Sequence, residues 1–199
     1  LLRQPLEDRS IVVARVSGAY RFPADFMLVA ASNPCPCGFY PDRSRCHCSE
    51  NQVRRYLNRI SRPILDRMDL IAEAGLIPYE EIAARGERKE ESSAVIRQRV
   101  EAAWQIQKER FCCTEIRFNS RMGHRELEEF CALGSREERL MRRIYESEEM
   151  SGRGRDRLLK VARTIADLEG GGPIQERHLM EAAGYRSGVR RYWGGGYGD

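Results

Sequence analysis

Four of the chain's seven cysteines fall in one short stretch, as Cys35-Pro36-Cys37, eight further residues, then Cys46-His47-Cys48. The segment between the pairs carries Asp42, Arg43, Ser44 and Arg45, so it has little apolar material from which to build a core. Two close thiolate pairs joined by a polar loop can surround Zn²⁺ as a tetrahedron, and a metal staple supplies the order that such a loop lacks. Pairs with one intervening residue are less usual than pairs with two, and His47 is an alternative to one of the sulfurs. The bland reading is a set of reduced thiols. An odd cysteine count with four clustered this way argues against a disulfide scaffold and for metal binding. Cys35, Cys37, Cys46 and Cys48 are therefore the expected ligands of Zn²⁺. Cys112, Cys113 and Cys131 read as helix-packing or helix-end thiols.

The pattern on either side of this loop changes along the chain. Ile11 to Val16 is rich in β-branched residues and reaches Ser17-Gly18, which predicts a hairpin with Ala19 to Phe22. Phe26 to Ala31 is a continuous apolar run, as expected of a strand covered on both faces in a parallel sheet. Ser49 is placed to cap a helix whose Val53, Tyr56, Leu57 and Ile60 share one face. A turn of helix is expected over Ile64 to Met68, a strand over Leu70 to Glu73, and a short helix over Pro78 to Ala84. Residues 85–91 hold only charges and one Gly, which marks a domain boundary. Beyond it the periodicity is helical throughout. Ile96, Val100, Ala103 and Trp104 form one stripe, Leu140, Met141, Ile144 and Tyr145 a second, and Leu158, Leu159, Ala162, Ile165 and Ala166 a third. A last helix is expected over Gln175 to Ala183, and the Gly-rich end from 188 to 199 reads as a disordered tail. The fold class is thus α/β followed by all-α.

Three further positions invite chemistry. Asn33 follows the apolar run, and strand ends in open α/β sheets are where ligands and reacting water sit; a turn residue is the bland alternative. Arg67, near the end of a short helix, either pairs with Asp66 or Asp69 or points outward at an anion. Ser151-Gly152-Arg153-Gly154-Arg155-Asp156-Arg157 places several cations at a helix start, against the dipole, which points to an anionic partner or to a solvated charge run. A net charge of +4 permits a nucleic-acid partner without demanding one. No apolar run is long enough to span a bilayer, and Leu1 to Glu7 reads as the end of an amphipathic helix rather than a signal peptide. A cytoplasmic protein is expected. No Gly-x-x-x-x-Gly-Lys-Ser/Thr loop is present. His124 and His178 sit in expected helices, with no persuasive nucleophile arrangement around them.

Several stretches, in order, resemble one family. They are Leu2 to Asp8, Phe22-Pro23-Ala24-Asp25-Phe26, and Val29-Ala30-Ala31-Ser32-Asn33-Pro34-Cys35-Pro36-Cys37-Gly38. They continue through Arg55-Tyr56, Arg59-Ile60-Ser61, Leu65-Asp66-Arg67 and the run Val161 to Gly170. Together they resemble the C-terminal half of the magnesium-chelatase-like AAA+ ATPases of the ComM type, over about residues 1–187. The resemblance implies that residues 1–84 are the C-terminal part of an AAA+ core sheet with the Cys-rich loop and that residues 92–187 are the helical lid. It implies that Asn33 is sensor 1, which places the attacking water, and that Arg67 is the arginine finger acting on ATP held by the next subunit, with Arg62 the alternative. It implies that Arg153 is the sensor 2 Arg, touching ATP in its own subunit. ATP with Mg²⁺, a self-associated ring of hexamer type and DNA are the implied cofactors and partners. The intact protein would be an ATP hydrolase that moves DNA branch points in homologous recombination and natural transformation. This chain alone is expected to be inactive, because its nucleotide-binding loop would lie before Leu1. Two other functions compete. One is a magnesium chelatase-type subunit serving metal insertion into porphyrin, and the other is a zinc-stabilised nucleic-acid-binding module without ATPase work.

Overall fold

The structure is a computed structural model and describes residues 2–83 and 91–193. The boundary read at 85–91 falls outside the described residues except for Glu91, as does the tail from 194 onward. Contacts divide the chain into two units, Leu1–Met68 with Val189–Asp199, and Asp69–Gly188.

The first unit begins with α1 (Arg3–Asp8), closed by Arg9 in the left-handed region with its N–H bonded to the Pro5 carbonyl. Strands β1 (Ser10–Arg15) and β2 (Gly18–Pro23) follow, in the hairpin that the β-branched run predicts. They pair antiparallel with Ile11 opposite Phe22, Val13 opposite Tyr20 and Arg15 opposite Gly18. Val16 and Ser17 make the turn, and Gly18 takes a φ of 139° that L side chains rarely adopt. Ile11, Val13, Tyr20 and Phe22 share one face, and all four are exposed.

Among the described residues these two strands make up the whole of the sheet structure. The strand expected over Phe26 to Ala31 is therefore corrected: the segment has no ladder partner, and Met27 and Val29 are 87% and 80% exposed. A strand exists only when another edge satisfies its N–H and C=O groups. Apolar composition states what a segment can bury and does not supply the neighbour. The strand expected over Leu70 to Glu73 is corrected for the same reason; its Ile71 N–H is taken by the Tyr185 carbonyl at 2.8 Å. The fold observed is mostly helical with one small hairpin.

Helix α2 (Glu50–Leu57) starts where Ser49 predicts. The Ser49 hydroxyl accepts from the Gln52 N–H, and Gln52 Oε1 accepts from the Ser49 N–H at 2.8 Å, a complete capping box. Val53 and Leu57 are buried on its inner face. The next helical turn, α3 (Arg62–Leu65), lies two residues earlier than expected because Ser61 precedes Pro63, which favours the first positions of a helix.

The second unit opens with α4 (Tyr79–Ala83) and α5 (Ser93–Arg110), the latter capped by Ser92. After a single 3₁₀ turn at Asn119–Arg121 come α6 (His124–Phe130), α7 (Ser135–Ser147), α8 (Gly152–Leu168) and α9 (Glu176–Gly184). Leu140, Met141 and Ile144 of α7, Leu158, Leu159, Ala162 and Ile165 of α8, and Leu179 and Ala182 of α9 form one core with Phe111, Met122 and Leu127. Two of the three predicted stripes thus point inward. The α5 stripe does not: Ile96, Val100 and Trp104 are exposed, and only Ala103 is buried. The last helix, α10 (Ser187–Trp193), occupies residues read as part of a disordered tail. No helix among the described residues is long and apolar enough to cross a membrane.

Candidate functional site

The loop from Cys35 to Cys48 folds back on itself by short-range bonds. Gly38 N–H reaches the Cys35 carbonyl at 3.1 Å, and Gly38 takes a φ of 85°, which glycine adopts without strain. The Asp42 carboxylate accepts from the Ser44 hydroxyl at 2.6 Å and from the Ser44 N–H at 3.0 Å, and those bonds hold its carboxyl below the usual range. The Cys46 N–H returns to the Asp42 carbonyl at 2.8 Å. Arg43 stacks over Tyr40 and Arg45 over Phe39, so the charged residues of the loop face its aromatics.

These turns bring the sulfurs of Cys35, Cys37, Cys46 and Cys48 within 4.8 Å of one another. Cys35 Sγ lies 3.3 Å from Cys37 Sγ and 3.8 Å from Cys46 Sγ, and Cys37 Sγ lies 3.6 Å from Cys46 Sγ. A tetrahedron with metal–sulfur bonds of ~2.3 Å has edges of ~3.8 Å, so the four sulfurs already sit close to the vertices of a zinc site. The cluster can hold a metal. His47 is exposed and is not part of the group.

The electrostatics lead the same way. Burial pushes the Cys35 thiol up, but the Tyr40 N–H, 3.4 Å from its sulfur, and further hydrogen bonds leave the net shift downward. The Phe39 backbone and neighbouring thiols draw Cys37 down to about 6. Desolvation carries Cys46 up. A backbone bond from Cys37 pulls Cys48 down, and burial with the adjacent sulfurs outweighs it, taking Cys48 up to about 11. Two thiols ionise readily and the other two resist, as expected when four acids share one small volume. A cation at the centre removes that conflict.

Behind the sulfurs, Cys35 and Cys46 pack with Val53 and Leu57 of α2, and Tyr40, Tyr192 and Trp193 close around them. The Trp193 indole N–H donates to the Leu57 carbonyl at 3.0 Å. Sequence reasoning missed these two aromatics, because the Gly-rich residues after them suggested disorder.

The remaining candidate positions are not gathered into one unit. Asn33 is exposed at the end of the unpaired apolar segment of the first unit. Arg67, also in the first unit, pairs with neither Asp66 nor Asp69: it is ion-paired with Glu7 and donates to the Pro63 carbonyl at 2.6 Å. Its side chain is 13% exposed. Arg153 lies in the second unit, exposed in the first turn of α8 behind the Ser151 cap, whose hydroxyl accepts from the Gly154 N–H at 3.1 Å. Arg157 pairs with Asp69 at 2.6 Å, so the charge run is partly an internal tie.

The second unit also holds a buried polar group that the periodicity did not reveal. The fully buried Asp167 carboxylate accepts from Arg110 through both its oxygens and from the Asn119 amide at 2.7 Å, and is ion-paired with Arg163 Nε at 3.2 Å. An acid on the apolar face of α8, four residues after Arg163, was the available signal. Of the other thiols, Cys131 is buried in the core, where desolvation pushes it up to about 11, while Cys112 and Cys113 are exposed just beyond α5.

A family model described as magnesium chelatase, subunit ChlI, matches residues 1–82, and one described as magnesium chelatase, subunit ChlI C-terminal, matches residues 90–186. The chain is similar to competence protein ComM of Haemophilus influenzae, 41% identical over 189 residues, which cover 95% of this chain and 36% of that protein. It is similar to the protein YifB of Salmonella typhimurium, 40% identical over 94% of this chain and 36% of the relative. It is likewise similar to YifB of Escherichia coli, 39% identical with the same coverage. The chain spans about a third of the length of the curated relatives it matches.

Proposed function

Because the chain belongs to the magnesium chelatase subunit ChlI family, alongside competence protein ComM, we propose that it is part of an ATP-driven AAA+ DNA motor. The observation that carries the reading is the two family models, matched in tandem along nearly the whole chain. In this reading residues 1–84 are the end of the ATPase core, 92–187 are its helical lid, and the intact protein works as a ring, taken as a hexamer.

Each candidate residue has a task that its chemistry fits. Asn33, exposed just after the apolar run Phe26 to Ala31, orients the attacking water through its side-chain amide. The Arg67 guanidinium, once released from Glu7, stabilises charge on a phosphoryl group held by the neighbouring subunit; Arg62, in α3, is the alternative donor. Arg153, in the positive first turn of α8, meets a nucleotide phosphate in its own subunit. ATP with Mg²⁺ supplies the phosphoryl transfer. Cys35, Cys37, Cys46 and Cys48 hold Zn²⁺ as a structural staple.

The test uses the full-length protein. Arg67→Ala is expected to abolish ATP turnover while nucleotide binding persists, and mixing it with a variant unable to bind ATP restores partial turnover, as a trans-acting group requires. Turnover that survives Asn33→Ala, Arg67→Ala and Arg153→Ala alike sinks the assignment. Branch migration of a synthetic DNA junction separates the motor from a porphyrin-metallating subunit. Metal analysis of the purified chain is expected to give one zinc, lost in Cys46→Ser.

A further inference from the structure

An open cleft of about 730 Å³ lies against α7 in the second unit. Arg136, Arg139, Arg142 and Arg143 line it, with Glu138 and Glu176. All four arginines belong to α7 and are exposed. Separations of three and four residues place Arg136, Arg139 and Arg143 on one stripe, with Arg142 beside it. Among the described residues none of the four pairs with a carboxylate, although two carboxylates share the cleft. Like charges at these spacings repel one another along the helix, and the two cleft carboxylates offset only part of the four positive charges.

The backbone adds to the field. Ser135 is the first residue of α7 and Glu176 the first of α9, so the amino ends of two helices open on the same cleft. Both ends carry partial positive charge. From Arg136 to Arg143 the helix rises about 10 Å. One nucleic-acid strand presents a phosphate about every 3.4 Å along its axis, so a row of this length meets several in succession. A guanidinium fork matches phosphate oxygens in plane, and an open trough admits a long polyanion where a small one would be left in water.

We propose that the α7 cleft holds the phosphate backbone of DNA through Arg136, Arg139, Arg142 and Arg143. The inference rests on the DNA-motor reading and adds the surface that grips the strand. The contact is backbone-positioning and carries no sequence preference. Glu138 and Glu176 keep the grip weak enough to release, as movement along DNA requires.

The experiment measures fluorescence anisotropy of a labelled DNA duplex titrated with the 199-residue chain from about 50 to about 200 mM salt. Arg139→Gln with Arg143→Gln is expected to weaken binding about tenfold or more and to lower the slope of log affinity against log salt by about 2. Arg139→Lys with Arg143→Lys retains most of that slope. Glu138→Gln with Glu176→Gln is expected to tighten binding, a gain that no folding defect imitates. The cleft assignment falls if the glutamine variant, melting like the parent, keeps both affinity and slope; the motor reading then still stands on its ATP turnover tests. It falls also if the chain ignores DNA and binds labelled poly-glutamate, which marks an acidic protein as the partner. If the cleft variants behave as expected while the full-length protein turns over no ATP, the motor reading fails and the cleft remains.

Discussion

The two units reach order by different means. The second unit buries a continuous core of leucines, isoleucines, methionines and alanines from α7, α8 and α9, joined by the Arg110–Asp167–Arg163 group. The first unit buries only a few side chains, Cys35, Cys46, Val53, Leu57 and Leu65 with Pro5 and Ser10, and leaves an apolar hairpin face and most of the Phe26 to Ala31 segment exposed. Burying one large aliphatic side chain is worth roughly 1.5–3 kcal/mol, so the second unit can stand on its packing. The first cannot, and its four sulfurs form a cluster where a bound metal would make up the deficit. A small region without a core needs a crosslink, a metal or a partner.

The sharpest way to break this contrast is to disable the four-cysteine cluster proposed to hold zinc. Structural zinc sites contribute on the order of 10 kcal/mol of apparent binding energy in small domains. A strong chelator, or Cys46→Ser, is therefore expected to erase hydrogen-exchange protection across α2 while amides of α7, α8 and α9 keep theirs. Equal loss in both units would dissolve the distinction.

The next effect falls on the other side. Asp167→Ala leaves Arg110 and Arg163 uncompensated beside the core, at a cost of about 3–5 kcal/mol, read as a lowered denaturation midpoint of the second unit. Leu159→Ala, which empties a site that is 2% exposed, costs about 2–5 kcal/mol by the same measurement. If either substitution leaves that midpoint in place, packing is not what holds the second unit together.

Smaller effects sharpen the picture. Trp104 is 57% exposed and meets Phe118 in a parallel stack, so Trp104→Ala is expected to cost about 1 kcal/mol or less. A larger loss would mean that the α5 stripe is covered in solution. Glu169 is held below the ordinary carboxylate range, chiefly by its hydrogen bond with His178 and then by Arg177. A depressed carboxyl adds stability that is complete above its unfolded value of about 4.3 and disappears as pH falls through the folded value. Melting between about pH 5 and pH 3 is therefore expected to fall less steeply in Glu169→Gln than in the parent.

Much of this was legible beforehand, in particular places. The β-branched run Ile11 to Val16 declared the hairpin, Ser49 with Gln52 declared the start of α2, and the stripes of α7 and α8 declared the core of the second unit. Each is a local rule, settled by residues a few positions apart. The spacing of the four cysteines pointed to the cluster that can hold a metal for the same reason. The α5 stripe misled because a helical period shows which side is apolar without showing whether anything lies against it. Glu7 as the partner of Arg67, sixty residues away, carried no sequence signal at all.

What the amino-acid order determined by itself was therefore the local grammar of helices, caps, hairpin and thiol quartet, together with the family resemblance. What only the tertiary structure decided was partnership: Arg67 with Glu7, Asp167 between two arginines, Trp193 against α2, and four arginines of α7 with no carboxylate partner among the described residues. The physical reason is range. Backbone preferences and periodicity act over one or two turns, while charge pairing and burial depend on which distant surfaces meet in space.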